Sequence, residues 1–189
     1  MGWLELQIKE MLIKVNGKSY KSKLMFIQEK DRYKLKILFK SWKTLFIGLR
    51  SFGSRGVNMP EGISESAFAL EMECPRVLSF EGAGASFDNF DVKNGRRLQI
   101  KATSVENDLT SFGPDSVWDD LYWLDFYRNG KLDGTFDIYK IPNNLIYNFK
   151  INANQTFRDQ QGEKRRPRLR MRSAVIKPNK IKPIKTCKI

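Results

Sequence analysis

Two segments of the chain place apolar residues at helical spacing. From Tyr33 to Leu49 the steps are three and four residues, which predicts an amphipathic helix. Its predicted buried face consists of Leu38, Trp42, Leu45, Phe46 and Leu49. A second helix is predicted from Glu65 to Glu73, with Ser64 as its N-cap. Residues 1–15 show both helix-like and strand-like spacing, so we leave their structure open.

Later segments have the spacing of strands. Residues 97–103 alternate with period two, and the preceding Asn94-Gly95 pair predicts a hairpin turn. The aromatic segment 117–128 predicts a buried strand, which residues 136–141 follow as a returning strand. Together with the helices, these strands predict an α/β fold in which helices flank a mixed central sheet.

The length of 189 residues suits a single domain spanning 1–189. Within it, composition predicts three parts: a basic, largely helical part at 1–55, a core at 56–150, and a basic arm and tail at 151–189. The last dozen residues repeat Lys-Pro and Ile-Lys elements and are expected to be mobile.

Composition excludes several classes of protein. The chain has no histidine, which rules out histidine-based triads and histidine-ligated zinc. Its two cysteines cannot form a disulfide framework; Cys74 is expected in the core and Cys187 at the surface. We find neither an apolar run long enough to span a membrane nor a secretory signal. We therefore expect a cytoplasmic protein with no membrane partner.

Charge is divided unevenly along the chain. The net charge is +8 over residues 1–50, −6 over 51–149 and +11 over 150–189. Basic flanks favour a polyanionic partner, of which nucleic acid is the commonest. An acidic centre is typical of a metal-dependent nuclease, in which carboxylates hold a cation and basic side chains hold phosphates.

The segment 82–103 carries the candidate chemistry. Asp88 follows a loop of small residues, and after the hairpin turn Gln99 and Lys101 lie on the same face of the next strand. We expect Asp88 to bind a divalent cation, with the Gln99 amide oxygen or the Ile100 carbonyl completing the shell. Lys101 is then placed to orient the attacking water or to stabilise negative charge.

Other acids compete for roles in this site. A further carboxylate is expected from the preceding helix, either Glu65 or Glu71, about two turns later. Asp91 is an alternative to Asp88, and we favour Asp88 because it directly follows the small-residue loop. Spacing of this kind also occurs in ordinary hairpins, where Gln99 and Lys101 would simply face solvent.

These residues resemble a known nuclease family. Asp88 followed by Leu98-Gln99-Ile100-Lys101-Ala102-Thr103 is similar to the PD-(D/E)XK signature, in its variant with glutamine before x-Lys. The segments 55–65 and 136–142 resemble those of small type II restriction endonucleases. More narrowly, residues 40–145 resemble the small cleavage subunit of heterodimeric type IIS restriction endonucleases, whose large subunit is a site-specific nicking endonuclease.

The resemblance implies a restriction-endonuclease-like core that uses Mg²⁺ to hydrolyse double-stranded DNA. It implies that Asp88, Gln99, Lys101 and Glu65 form the catalytic site, with Gln99 standing where most members have Asp or Glu. The neutral amide is a weaker Mg²⁺ ligand, and Glu65 is expected to supply the missing charge. The residues expected to contact DNA are Arg55, Asn58, Arg96, Arg97, Lys164, Arg165, Arg166 and Arg168.

Three alternatives stay open at this point. The chain is also compatible with a homodimeric type II restriction enzyme and with another nuclease of the same fold, such as a resolvase or a repair nuclease. From a different class, a non-catalytic nucleic-acid-binding protein would have the same charge pattern. The aromatic segment 117–127 is interpreted as core or subunit-interface packing, with a base-stacking platform as the alternative.

Overall fold

A computed structural model describes residues 6–82 and 86–189. The predicted loop of small residues therefore lies partly outside the described residues, at 83–85. The fold is a mixed α/β arrangement, as predicted. The helices are α1 (Arg32–Ser51), α2 (Glu61–Met72), α3 (Asn143–Tyr147) and α4 (Phe157–Gly162). The strands are β1 (Gln7–Val15), β2 (Lys18–Phe26), β3 (Arg76–Phe80), β4 (Asn89–Asp91), β5 (Arg96–Thr103), β6 (Thr110–Ser111), β7 (Asp120–Asp125), β8 (Thr135–Ile141), β9 (Arg168–Leu169) and β10 (Lys185–Lys188).

Eight strands form one sheet in the order β1-β2-β3-β4-β5-β7-β8-β10, while β6 and β9 form a small separate pair. Neighbouring strands of the large sheet are antiparallel except β5 and β7, which run parallel. Helices α1 and α2 pack on one face of the sheet through Phe39, Trp42 and Phe68. The C-terminal segments cover the other face. No helix among the described residues is long and apolar enough to cross a membrane.

The N-terminal part differs from the predicted, largely helical structure. Strands β1 and β2 form a nine-pair hairpin ahead of α1. Ile13 and Val15 alternate into a small core, and Asn16 and Gly17 both have positive φ, as a two-residue hairpin turn requires. This segment therefore forms strands and not a helix, because every second side chain near the end of β1 is buried.

The helices themselves are shifted from their predicted bounds and faces. Helix α2 begins at Glu61 after Pro60, whose fixed φ suits a helix start, so Ser64 is an interior residue rather than the N-cap. On α1 the buried side chains are Leu35, Phe39, Trp42 and Phe46. Leu38 and Leu45, predicted as buried, are exposed.

The C-terminal tail is ordered, contrary to the prediction. Met171, Val175 and Ile176 are buried in the second core, and β10 pairs with β8 at the edge of the sheet. Cys187 is consequently buried instead of exposed. Most of segment 117–127 is core, as interpreted: all six residues of β7 are buried, and the strand lies between β5 and β8 in the sheet. Val117, at the start of the segment, is exposed.

Candidate active site

Asp88 is fixed to strand β5 by both its backbone and its side chain. The Asp88 N–H donates to the Leu98 carbonyl at 3.0 Å. Its carboxylate Oδ2 accepts a 2.7 Å hydrogen bond from the Ile100 N–H and another from Gln99 Nε2. The antiparallel register Asn89↔Leu98 sets up this arrangement, as the predicted hairpin required. Burial raises the pKa of Asp88, and the positive charge of Lys101 opposes that shift.

Gln99 is a buried polar residue with half of its amide unpaired. The residue is only 2% exposed, and Nε2 is used by Asp88. Within the described residues, the Oε1 atom has no hydrogen-bond partner. A buried acceptor without a partner is costly. An oxygen of this kind beside a carboxylate suits a hard cation.

Glu65 brings a second carboxylate to the site from helix α2. Its Oε2 accepts from Arg76 Nη2 at 2.6 Å and from Arg76 Nε at 3.0 Å. Burial and the negative charge of Asp88 raise the pKa of Glu65 to about 7, although Arg76 opposes the shift. Of the two acids predicted on this helix, Glu65 is therefore the one near Asp88. Glu71 instead pairs with Arg32 and Lys185.

Arg76 is the residue of this site that the sequence analysis missed. It is the first residue of β3 and pairs with Asn89 of β4, the residue that follows Asp88 in the chain. Its side chain is 15% exposed. Its guanidinium donates twice to Glu65 Oε2 and leaves Oε1 of the same carboxylate to other ligands. A basic residue paired with the strand that follows the catalytic acid would have indicated Arg76. This signal can be used only when the pairing of β3 with β4 is known.

Lys101 extends from the same strand as Gln99. Its Nζ lies 5.6 Å from the centroid of the Phe112 ring, and it has no ion-pair partner in the described part of the chain. It lines a cavity of about 290 Å³ together with Asn58, Asp108 and Ser111. A free ammonium group beside Asp88 and a polar cavity is therefore available to a phosphate.

Asp91 is used in the hairpin turn. Its Oδ1 accepts from the N–H groups of Lys93 and Asn94, and its Oδ2 accepts from Asn94 Nδ2 at 2.7 Å. These bonds stabilise the turn that brings β4 and β5 together. The contacts thus support Asp88 over Asp91 as the acid of the site.

The residues present fit a divalent cation. Glu65 and Asp88 supply two carboxylates, and Gln99 supplies an unpaired amide oxygen. Ile100 contacts Asp88 through its N–H. Residues 6–82 and 86–189 contain no group of three or more Asp, Glu, Cys or His side chains placed to hold a metal ion together. A small ligand set suits Mg²⁺, which usually keeps several waters.

The residues predicted to contact DNA fall into two groups. Arg96 and Arg97 pair with Asp120 and Asp119, because the parallel register of β5 and β7 places these acids beside them. Lys164 and Arg165 also have acidic partners, Asp115 and Glu163. The side chains that are exposed and have no ion pair within the described ranges are Arg55, Arg166 and Arg168, while Asn58 is exposed at the cavity of Lys101.

The raised pKa of Glu65 predicts a pH-dependent stability. In the unfolded chain the Glu65 carboxyl ionises near pH 4.5, whereas in the folded protein it stays protonated up to about pH 7. Its contribution to the free energy of unfolding is therefore fully present below pH 4.5 and is lost as the pH rises to about 7. In chelator, Glu65→Gln should be as stable as the native protein near pH 4 and more stable at pH 8, by about 2–3 kcal/mol. Urea unfolding at the two pH values measures this difference.

Glu106→Gln, at an exposed position, is the matched control for Glu65→Gln and should follow the native pH profile. Mg²⁺ at pH 8 should stabilise the native protein and the control, but much less the Glu65 variant. Equal pH profiles for native protein and Glu65→Gln would contradict the placement of Glu65 in a buried site beside Asp88.

Gln99→Glu is expected to keep cleavage activity while changing metal affinity. A third buried carboxylate beside Asp88 and Glu65 should lower stability in chelator, because like charges repel in a buried site. The same carboxylate should tighten Mg²⁺ or Mn²⁺ binding, measured by titration calorimetry. Gln99→Met, which removes the amide, should weaken binding. A folded but inactive Gln99→Glu variant would mean that the site requires a neutral ligand.

Comparisons with known proteins identify the family of the chain. The model of the Bsp6I restriction endonuclease family matches residues 27–178. The type II restriction enzyme Bsp6I of Bacillus sp. (strain RFL6) is 33% identical over 147 residues, which cover 76% of this chain and 79% of that enzyme. No solved structure matches the chain significantly. The chain therefore belongs to the Bsp6I restriction endonuclease family and is a type II site-specific deoxyribonuclease.

Proposed function

We propose that the chain is a Mg²⁺-dependent endonuclease with a PD-(D/E)XK core, and that each active site hydrolyses one strand of a DNA site. The observation that carries the proposal is the Asp88 carboxylate, bonded to both Gln99 and the Ile100 N–H and flanked by Glu65 and Lys101. The roles of Asp88, Gln99, Lys101 and Glu65 rest on this arrangement together with the resemblance of their sequence pattern.

In this proposal Glu65, Asp88 and the Gln99 amide oxygen hold the cation. When bound, Mg²⁺ lowers the pKa of a water ligand and offsets charge on a phosphoryl oxygen. Arg76 donates to Glu65 Oε2 through both Nε and Nη2, so Glu65 can contact the cation through Oε1 while it keeps its ion pair with Arg76. Lys101 orients the attacking water or stabilises the negative charge of the transition state.

The DNA backbone is held by exposed cationic and polar groups beside the cavity of Lys101. Asn58 lines that cavity directly. Arg168 pairs in β9 with Ser111 of β6, which also lines the cavity. Arg166 and Arg168 have no ion pairs in the described part of the chain, so their charge is available to phosphates. These residues therefore extend the phosphate-binding surface away from Asp88.

One active site cuts one strand in a given placement, so a double-strand break needs a second site. Following the resemblance to type IIS small subunits, we propose that a larger, site-recognising nicking endonuclease supplies it. The complex would act in the cytoplasm, where the chain's two free cysteines stay reduced.

A second arrangement, a homodimer, is favoured by a different observation. The alignment covers similar shares of this chain and of the Bsp6I enzyme, 76% and 79%, so the two are of similar length. A type II enzyme of the same size suggests a chain that works without a larger subunit. Two copies related by a two-fold axis would then place one site on each strand.

Cleavage of a duplex whose strands carry separate end labels tests these proposals. We expect Mg²⁺-dependent cutting that chelator abolishes. Cutting of one strand only, and only with a nicking partner present, supports the heterodimer. Specific cutting of both strands by the purified chain at low concentration contradicts it and supports the homodimer. DNA binding that is equal in Mg²⁺ and chelator, without any cutting, would contradict the proposed active site.

A further inference from the structure

The β1–β2 hairpin lies outside the region that the family model matches. It ends at Phe26, and the family model matches from residue 27 onward. Its two strands pair without interruption from Gln7↔Phe26 to Val15↔Lys18. The catalytic residues described above all lie within the matched region. The hairpin therefore contributes none of these catalytic residues.

The end of this hairpin, residues 14–21, is here termed the ribbon tip. Its exposed side chains are Lys14, Asn16, Lys18, Ser19 and Lys21, and it contains no acidic residue. None of its three lysines has an ion pair within residues 6–82 and 86–189. By contrast, Lys23, just below the tip, pairs with Glu10 at 3.1 Å. Positive charge and hydrogen-bond donors are thus concentrated at the tip.

The ribbon tip is held firmly beside the catalytic hairpin. Val15 is buried, and the Tyr20 ring lies 5.1 Å from that of Phe80, which in turn contacts Phe87, the neighbour of Asp88. The Glu81 N–H donates to the Lys21 carbonyl at 3.1 Å. On the other side, Gly95 of the β4–β5 turn lies close to the tip: a Cβ added to it would be in van der Waals contact with the Lys14 carbonyl oxygen, at 3.9 Å. The tip is therefore fixed relative to both Asp88 and the β4–β5 turn.

We propose that the ribbon tip enters the major groove of the DNA beside the cleavage site and reads base edges there. A two-stranded β-ribbon fits the major groove. Lysine pairs with guanine, asparagine with adenine, and serine with either, so this set of side chains suits direct readout. The proposal rests on the proposed active site only for the position of the tip along the DNA.

Selection of bound duplexes from a library with a randomised central segment tests this proposal, with Ca²⁺ replacing Mg²⁺. The test variants are Asn16→Gly, which keeps the positive-φ turn, and the double change Lys14→Ala/Lys21→Ala. The double change Lys9→Ala/Lys23→Ala removes the same charge from the body of the same hairpin and is the matched control. Native protein should enrich a defined sequence.

We expect the tip variants to lose preference at one or more base positions, with affinity for the enriched sequence falling about 10- to 100-fold. The control should bind all sequences somewhat more weakly and keep the native preference. Equal losses in tip and control variants, with preference unchanged, would overturn the proposal and leave the ribbon as a phosphate contact. No sequence preference in the native chain, or an oligomeric state that changes with the tip variants, would also overturn it.

A separate variant distinguishes this proposal from the proposed active site. Asp88→Asn should abolish cleavage in Mg²⁺ while enriching the same sequence as the native chain. Failure of base reading with intact Mg²⁺-dependent cleavage refutes the ribbon alone. Cleavage that survives Asp88→Asn refutes the active site alone.

Discussion

Replacing Asp88 by asparagine should abolish DNA cleavage and leave the fold intact. The carboxylate is the group that links the proposed cation site to strand β5, through Gln99 and the Ile100 N–H. Loss of metal-supported charge stabilisation should lower the rate by about 10²- to 10⁴-fold or more. Because burial raises the pKa of Asp88, a neutral side chain of the same shape should not lower stability near pH 8. Initial cleavage rates in Mg²⁺ and thermal unfolding measure the two effects.

Asp91→Asn is the control for this variant, since it lies on the same short strand. Its loss weakens the turn bonds to Lys93 and Asn94, at a cost of about 1 kcal/mol, and should leave cleavage measurable. If Asp91→Asn is inactive and Asp88→Asn active, the acid of the site has been assigned wrongly. If both variants cut normally, the nuclease site lies elsewhere.

Replacing Lys101 by methionine should also inactivate the enzyme, by about 10²- to 10³-fold in rate. Methionine has a similar length and an apolar side chain that can pack on Phe112, and it removes the positive charge that lies over that ring. DNA affinity should fall much less than the rate, since one phosphate contact among many is lost. Single-turnover cleavage and fluorescence anisotropy separate the two effects.

Lys140 offers a matched comparison, because its Nζ also lies over an aromatic ring, 5.8 Å from that of Tyr122. Unlike Lys101, it is paired with Asp120. Lys140→Met should therefore affect stability and not cleavage. Equal cleavage by the native protein and Lys101→Met, or equal losses in both lysine variants, would remove Lys101 from the site.

The core of the candidate site could be predicted because its geometry is local. Asn94-Gly95 fixes the hairpin, the hairpin fixes the register, and period-two alternation then places Gln99 and Lys101 near Asp88. The ion pair of Arg76 with Glu65 could not be predicted in this way. It depends on the pairing of β3 with β4 and on the position of α2, which no local pattern specifies.

The predictions for the N-terminal and C-terminal parts were wrong for a similar reason: they also depend on contacts that no local pattern specifies. The charge pattern of residues 164–172 suggested a free basic arm, yet Arg172 forms an ion pair with Asp125, 47 positions earlier. On α1, apolar residues cover more than one face, so the spacing alone did not separate the buried Leu35 from the exposed Leu45. Net charge along the chain therefore overstates the charge available to DNA.

Strand β10 has a consequence for how the protein folds. It covers the outer edge of β8, from which it is separated by residues 142–184, and it is the last strand of the sheet to leave the ribosome. Until then the backbone groups along that edge of β8 have no strand partner, and closing so long a loop is slow. An open edge of this kind invites pairing between chains. Aggregation during synthesis should therefore depend on how quickly β10 docks on β8.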